Sequence, residues 1–193
     1  MKDSLLINVI VRERPELIDF SIVSFSLNAR NVARLYEHGT SSPDSRLAAA
    51  KACQDAGFEV RIRIDPMIPV EGWIMHYTKL ILDMLDKIVP SRITIGSLRA
   101  LQKTIKYAQD KSWITYVMKC GGDKTKWGRR VERKLRIKMF EIAIETLREA
   151  GYNNPIALCK EPLDVWSNLS ERGYLDYPGS KGIWENVMCN CKL

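Results

Sequence analysis

Between residues 24 and 73 the sequence contains SFSLNA (24–29), EHGTSSPDSR (37–46) and GFEVRIRIDPMIPVEGW (57–73), at the spacing of two successive strand–helix units. The apolar, β-branched run over residues 22–27 predicts a first strand. A second strand is predicted over Glu59–Ile64 and a third over Arg92–Ser97. Helical patterns separate these runs, so the sequence predicts parallel strands joined by helical crossovers, an α/β fold.

The helices are recognised by their capping residues and apolar period. Ser42 is a predicted N-cap, Pro43 fits the first turn, and Gly57 is a predicted C-terminal stop. A second helix is predicted over His76–Ile88, after a segment that Pro66 and Pro69 keep extended or turned. Further along, the pattern predicts a helix from about Val131 to Ala150, a short strand over Pro155–Lys160 and a helical turn through Val165 and Trp166.

Length and composition limit the classes of protein to consider. With 193 residues and 46% hydrophobic residues, the chain can bury one sizeable core. It has no apolar run long enough to span a membrane and no charged-then-apolar leader, which predicts a cytoplasmic protein without a membrane partner. Its two histidines show no zinc spacing or local triad, which argues against hydrolytic or zinc catalysis.

Positive charge is concentrated in one segment of the chain. The formal net charge is +7, and residues 119–138 carry nine basic residues against two acidic ones. Clustered positive charge attracts a phosphate backbone and an aromatic face stacks on bases, so this segment predicts a nucleic-acid partner. The alternative is a solvated helix face beside a core tryptophan. The predicted contact residues are Lys126, Trp127, Arg129, Arg130 and Arg133.

Polar residues follow the predicted strands at their carboxyl ends, where parallel α/β sheets bind ligands. Ser26 and Asn28 lie at the C-terminal end of the first strand, and Asp65 follows the second. Hydroxyl, amide and carboxylate groups there can hydrogen-bond a ligand. A local role is the alternative, with Asn28 capping the next helix and Asp65 forming an Asp-Pro turn.

Several ordered motifs across residues 15–130 resemble those of a known superfamily. They are Ser26-Leu27-Asn28-Ala29, Glu37 with Thr40, Pro43 and Arg46, Asp65-Pro66-Met67-Ile68-Pro69, Glu71-Gly72-Trp73, and Lys126-Trp127-Gly128-Arg129. In these motifs the chain resembles the radical S-adenosylmethionine (SAM) superfamily, and most closely its spore photoproduct lyase-like branch. The resemblance implies the second half of a partial (β/α)6 TIM-like barrel in residues 1–110. A basic, α-rich extension with a cysteine-containing tail would follow in residues 111–193.

The same resemblance implies the cofactors and the activity. It implies SAM and a [4Fe-4S] cluster in the complete enzyme, with Ser26 and Asn28 at a strand end that helps bind SAM. Asp65, at the end of the next strand, is the third residue that we predict on this SAM-binding wall. Enzymes of this superfamily hold the cluster in a CxxxCxxC loop, and this sequence contains no such motif. We therefore expect the C-terminal portion of a radical lyase related to DNA-repair enzymes, which contributes to SAM and nucleic-acid binding. Alone, it is not expected to initiate the radical.

The cysteines suggest a second metal site. They are five in number and scattered, which favours reduced thiols or metal ligation over a disulfide framework. Cys159, Cys189 and Cys191, with Cys120 as a fourth, could converge as thiolate ligands for zinc or an iron–sulfur centre. Buried, unpaired thiols are the alternative.

Two functions of other classes stay open at this point. One is a nucleic-acid-binding module without catalysis, and the other is a metal domain whose cysteines serve structure only. An open half barrel exposes a strand edge. A separate protein that carries the N-terminal half, or a second copy of this chain, is therefore a further expected partner.

Overall fold

Strands and helices alternate along the chain, as a computed structural model shows for residues 9–118, 124–125, 128–176 and 178. The strands are β1 (Ile22–Ser26), β2 (Glu59–Met67), β3 (Arg92–Ser97), β4 (Arg99–Ala100), β5 (Lys124–Thr125), β6 (Gly128–Arg130) and β7 (Ile156–Leu158). The helices are α1 (Arg30–Tyr36), α2 (Pro43–Asp55), α3 (Trp73–Leu85), α4 (Gln102–Tyr107), α5 (Ile114–Met118), α6 (Arg133–Glu149) and α7 (Leu163–Glu171). None of the helices in these ranges has the length and apolar content needed to cross a bilayer.

Four parallel strands form the central sheet, in the order β1, β2, β3, β7. Parallel neighbours need crossover connections, which the helices between the strands supply. The predicted parallel α/β fold is therefore confirmed. The sequence predicts a domain boundary at residue 110. Strand β7 lies beyond that boundary and pairs with β3, which lies before it. The division into two domains stays a prediction.

The two faces of the sheet differ because side chains alternate along each strand. On one face Ile62, Ile93 and Ile95 are completely buried. Helix α2 contacts β1 and β2, α6 contacts β3, and α3 packs against α6. Burial of one large aliphatic side chain contributes roughly 1.5–3 kcal/mol, so this layer is the main driving force for folding. The helices supply Tyr77, Leu80, Ile81 and Met84 from α3, and Met139, Phe140, Ala143, Ile144 and Leu147 from α6.

The predicted elements differ from the observed ones mainly at their ends. Strand β2 continues past Ile64 to Met67, with a shift of its register against β3 between those two residues. Helix α3 begins at Trp73, three residues before the predicted start. Gly72 explains the earlier start, because its left-handed backbone (φ +69°) turns the chain directly into the helix.

A small antiparallel sheet is attached beyond the carboxyl end of β3. Its order is β4, β6, β5, with Arg99 opposite Arg130 and Ala100 opposite Arg129. Gly128 makes the close packing possible: its φ is +91°, and a Cβ atom there would overlap the carbonyl oxygen of Ala100. One residue, Leu98, separates β3 from β4. The basic strand β6 is thereby fixed next to the edge where ligands are expected.

Candidate functional site

The carboxyl ends of β2, β3 and β7 meet around one ion-paired group. The guanidinium of Arg99 donates from Nη2 to both oxygens of Asp65, at 2.8 and 2.9 Å. Its Nη1 donates to the carbonyl oxygens of Ser97 and Cys159, at 3.3 and 3.2 Å. Arg63 approaches the same carboxylate from β2, at 3.3 Å. Asp65 is therefore held between two arginines.

A cavity of about 280 Å³ opens beside this pair. It lies at the edge where parallel α/β sheets place their ligands. Its walls combine two cationic side chains, one carboxylate, one hydroxyl and two apolar surfaces. The lining residues are Asp65, Pro66, Arg99, Leu101, Thr104 and Lys160. Of the predicted cofactor residues, Asp65 is the one that lines it.

Asn28 lies next to this edge but has its hydrogen bonds inside the protein. Its Nδ2 donates to Glu37 Oε1 at 2.9 Å and to the carbonyl oxygen of Pro66 at 3.1 Å. Its Oδ1 accepts from the backbone N–H of Ala29 and from the hydroxyl of Tyr77, both at 2.9 Å. The side chain is only 2% exposed. It therefore ties the end of β1 to the end of β2.

Three further contacts extend this network to the neighbouring helices. Arg46 of α2 forms an ion pair with Glu37 and donates from Nη1 to the carbonyl oxygen of Ser26, at 2.8 Å. The backbone N–H of Ile68 donates to the Tyr77 hydroxyl at 2.8 Å. Burial raises the pKa of Tyr77 far above its usual range, which keeps the hydroxyl protonated. Ser26, in contrast, is exposed, and it is the one predicted cofactor residue of the three that is.

Removal of the Tyr77 hydroxyl tests this network. We expect Tyr77→Phe to lower the free energy of unfolding by about 1–3 kcal/mol, because the Ile68 N–H and the Asn28 carbonyl group lose a buried partner. The measurement is urea denaturation followed by circular dichroism. Tyr107→Phe is the matched control, since Tyr107 is 70% exposed and the same change there should cost nothing measurable. Equal stability of both variants would contradict the network.

Cys159 is the one cysteine of the predicted metal set that the described residues include; Cys120, Cys189 and Cys191 lie outside them. Its thiol is buried, with Sγ 3.3 Å from Arg63 Nη2. Burial, together with the nearby Asp65 carboxylate, raises the pKa of Cys159 to about 11. Within the described ranges, no group of three or more His, Cys, Asp or Glu residues could hold a metal ion. The thiolate site stays a prediction.

The protonated state of Cys159 leads to a labelling prediction. We expect Cys159 to resist iodoacetamide at pH 8 in the native protein, because the thiolate is the reactive form and its pKa of about 11 leaves little of it. Buried Cys53, whose pKa burial also raises, should behave alike. Peptide mass spectrometry before and after unfolding in urea measures both sites. Rapid native labelling of Cys159 would show that the thiol is open to solvent.

A second ion-paired group is buried beneath the small sheet. Glu161 accepts from Arg130 Nη1 at 2.9 Å and lies 3.3 Å from Arg136 Nε. The Ser97 hydroxyl donates to its other oxygen at 3.1 Å. Burial raises the pKa of Glu161, while the two arginines oppose this effect. The side chains of Arg130 and Glu161 are completely buried. Because Arg130 belongs to β6 and Glu161 follows β7, their ion pair joins these two segments.

The predicted nucleic-acid contacts occupy different environments. Lys126 and Trp127 lie outside the described residues. Arg130 has its guanidinium in the buried group with Glu161, so it does not face solvent. Arg129 is partly exposed on β6, and Arg133 is 42% exposed at the start of α6, where it pairs with Asp164. Arg129 and Arg133 are therefore the described members that can reach a ligand.

Sequence patterns did not reveal the partners that organise this edge. Glu161 follows the predicted strand over residues 155–160, and no sequence pattern indicates that its carboxylate is buried. Tyr77 fits the apolar pattern of its helix, so the pattern does not reveal the hydrogen bonds of its hydroxyl. The alternation Arg61-Ile62-Arg63-Ile64-Asp65 was the available signal, because it places three charged residues on one face of β2. That face carries the Asp65 ion pair.

Comparisons with known proteins identify the family. The sequence model described as spore photoproduct lyase matches residues 19–142. The spore photoproduct lyase of Geobacillus sp. (strain Y412MC61) is 28% identical in an alignment of 117 residues that covers 54% of this chain and 33% of that protein. The enzyme of that name from Clostridium acetobutylicum is 30% identical over 66 residues, which are 34% of this chain and 20% of that protein.

Solved structures show the same fold. A spore photoproduct lyase complexed with dinucleoside spore photoproduct superimposes with a TM-score of 0.56 and 21% identity, over 79% of this chain and 54% of that one. A variant with bound AdoMet and the same dinucleoside gives 0.55 and 23%, over 70% and 43%. The chain thus spans about half the length of these structures, and its sheet is part of a TIM-like barrel. The chain belongs to the spore photoproduct lyase family.

Proposed function

We propose that this chain forms the SAM-binding wall and the nucleic-acid-binding surface of a radical SAM lyase that acts on damaged DNA. The observation that carries this proposal is the position of the basic strand β6. Strand β6 pairs with β4, whose first residue, Arg99, comes two residues after the end of β3. Strand β6 therefore lies next to the cavity that Asp65 and Arg99 line. A nucleic acid held by β6 would therefore present a base to the edge where a barrel binds its cofactor.

The nucleic-acid part of the proposal is supported by charge and by relatives. Arg129 is partly exposed and Arg133 is 42% exposed, so both can offer a guanidinium group to phosphates. We include Lys126 and Trp127 in the proposed interface because the sequence predicts them as contact residues. The solved relative with the TM-score of 0.56 was complexed with dinucleoside spore photoproduct, a DNA lesion. We leave Arg130 out of the interface, since its role is to hold β6 in place.

The cofactor part of the proposal assigns different tasks to the three predicted residues. Ser26 has a side chain that is free to meet the polar groups of SAM, while Asn28 and Asp65 already bind protein groups. We infer that Asn28 and Asp65 fix the wall and that Ser26 contacts the ligand. In radical SAM enzymes the bound cofactor supplies the radical that abstracts hydrogen from the substrate. In this chain the described residues would position the substrate and shield it from water.

An iron–sulfur cluster does not fit the described residues. Its ligands are several thiolates together, whereas the described residues include two cysteines, Cys53 and Cys159, and no group of three or more metal-ligating side chains. We therefore derive no step through a cluster held by this part of the chain.

Nucleic-acid binding is tested by fluorescence anisotropy with a labelled single-stranded oligonucleotide over a salt series. We expect binding that weakens steeply with salt, and a log–log slope that becomes shallower by about 1.4 in the double variant Arg129→Ala/Arg133→Ala, since two phosphate contacts are lost. The matched control is Arg12→Ala/Arg14→Ala, which removes two exposed arginines elsewhere on the chain. An identical slope in both double variants would overturn the assigned surface.

A nucleic-acid-binding module without catalysis is the second candidate. It is favoured because Arg129 on β6 and Arg133 on α6 are exposed enough to bind phosphates without any cofactor. The two candidates differ in SAM binding, which isothermal titration calorimetry measures directly. The radical SAM function predicts heat of SAM binding to the wild-type chain. It predicts less heat for Ser26→Tyr, because the bulky ring would occupy the space next to the SAM-binding wall. The second predicts no heat of binding in either protein.

A further inference from the structure

Helix α4 presents an unusually exposed set of basic and aromatic side chains. Lys103, Lys106 and Tyr107 all face solvent, and Tyr107 is 70% exposed. The Nζ atom of Lys106 lies 5.2 Å from the centroid of the Tyr107 ring. From Arg99 to Gln109 the sequence contains no acidic residue. The helix therefore combines positive charge with an accessible π face, and neither feature is needed for the core.

The position of this helix links it to the candidate site. It follows β4 after one residue, Leu101, and its Thr104 lines the cavity beside Asp65 and Arg99. Tyr107 is one turn further along the same side of the helix, because residues three apart are neighbours on a helix surface. Lys103 is the neighbour of Tyr107 at a spacing of four. The cavity and the exposed ring thus form one continuous surface.

We propose that α4 is a second contact surface for the nucleic-acid strand, on which Tyr107 stacks on a base flanking the target nucleotide. Lys103 and Lys106 would bind the phosphates on either side of this base. The hydroxyl of Thr104 would donate to the phosphate nearest the cavity, which Arg99 and Lys160 also line. This inference rests on the proposed nucleic-acid function and specifies the path of the strand across the protein.

The chemistry favours a single strand or an opened duplex. A base must be unstacked to meet an aromatic side chain, and stacking of this kind tolerates every base. The α4 contribution should therefore show little sequence preference. It should also be larger for a single-stranded oligonucleotide than for the matching duplex.

The test uses anisotropy with a labelled single-stranded oligonucleotide and the full chain. We expect Tyr107→Ala to weaken binding roughly tenfold, since one stacked base is lost, and Tyr107→Phe to retain wild-type affinity. Lys103→Ala/Lys106→Ala should make the salt slope shallower by about 1.4. The aromatic control is Phe20→Ala, because Phe20 is 86% exposed just before β1, at the opposite edge of the sheet. The charge control is Lys51→Ala/Lys87→Ala.

The outcomes separate this inference from the proposed function. If Tyr107→Ala and the lysine double variant bind like wild type while the Arg129/Arg133 variant is impaired, the α4 surface is refuted and the β6 interface stands. If the wild-type chain binds no nucleic acid, the proposed function itself fails. Equal losses in Tyr107→Ala and Phe20→Ala would also refute the stacking role, since they would reflect a general effect of removing an exposed ring.

Discussion

Replacement of Glu161 by alanine is expected to lower the free energy of unfolding by about 3–5 kcal/mol. The variant leaves Arg130 and Arg136 charged and buried without the carboxylate that now lies 2.9 and 3.3 Å from them. It also removes the acceptor of the Ser97 hydroxyl. Urea denaturation, monitored by circular dichroism and tryptophan fluorescence, measures the loss. Because β6 is tied to Glu161 through Arg130, oligonucleotide affinity should fall in the same variant.

The control for this prediction is an ion pair on the protein surface, which joins α6 to α7. Arg133 binds Asp164 at 2.8 Å, with side chains that are 42% and 56% exposed. Exposed pairs contribute roughly 0–1 kcal/mol, so Asp164→Ala should change stability by less than about 1 kcal/mol. Glu161→Gln, which keeps the shape and loses the charge, should lie between the two. Similar losses in Glu161→Ala and Asp164→Ala would contradict the buried position of Glu161.

The second large effect is expected at Asp65. Its side chain is 6% exposed and accepts from Arg99 at 2.8 and 2.9 Å, with Arg63 at 3.3 Å. Asp65→Ala would leave two neighbouring guanidinium groups without their shared carboxylate, so we expect a loss of about 3 kcal/mol in the free energy of unfolding. The loss is measured in the same urea assay. Repulsion between the two arginines should also open the cavity beside them and weaken ligand binding.

The surface pair Lys51–Asp55 is the reference for Asp65. Its side chains are 49% and 60% exposed, so Asp55→Ala should cost little. Gly96 offers an independent check, because a Cβ atom there would lie 2.6 Å from Asp65 Oδ1 and 2.9 Å from the Cβ of Cys159. Gly96→Ala should therefore disturb the same ion pair without removing any charge. A stable Asp65→Ala variant with unchanged ligand binding would show that the pair does not organise the site.

The fold was largely predictable from local patterns. β-branched runs marked β1 to β3, and Ser42 was correctly predicted as an N-cap, where its hydroxyl accepts from the Ser45 N–H at 3.1 Å. The third strand has the predicted bounds, Arg92–Ser97. The two-residue strand β4 was not predictable, because it pairs with β6 across about thirty residues, at Arg99–Arg130 and Ala100–Arg129, and depends on the close approach of Gly128 to Ala100.

The position of the polar residues was predictable, but their hydrogen-bond partners were not. Polar residues at strand ends come together at one edge because parallel strands all end on the same side, and ligand binding at that edge stays a prediction. Sequence could not show that Asn28 is enclosed by Glu37, Pro66 and Tyr77, since these partners lie 9, 38 and 49 residues away. Nor could it show that Arg130 is buried, because a basic segment looks the same whether its arginines face solvent or a buried carboxylate.

The most direct measurement for the whole account is calorimetric titration of the chain with dinucleoside spore photoproduct, in the presence and absence of SAM. If the chain forms both the cofactor wall and the nucleic-acid surface, the dinucleoside should bind, and SAM should tighten its binding because the two ligands share the edge around Asp65 and Arg99. Binding that is absent under both conditions, or that SAM leaves unchanged, would contradict a shared site.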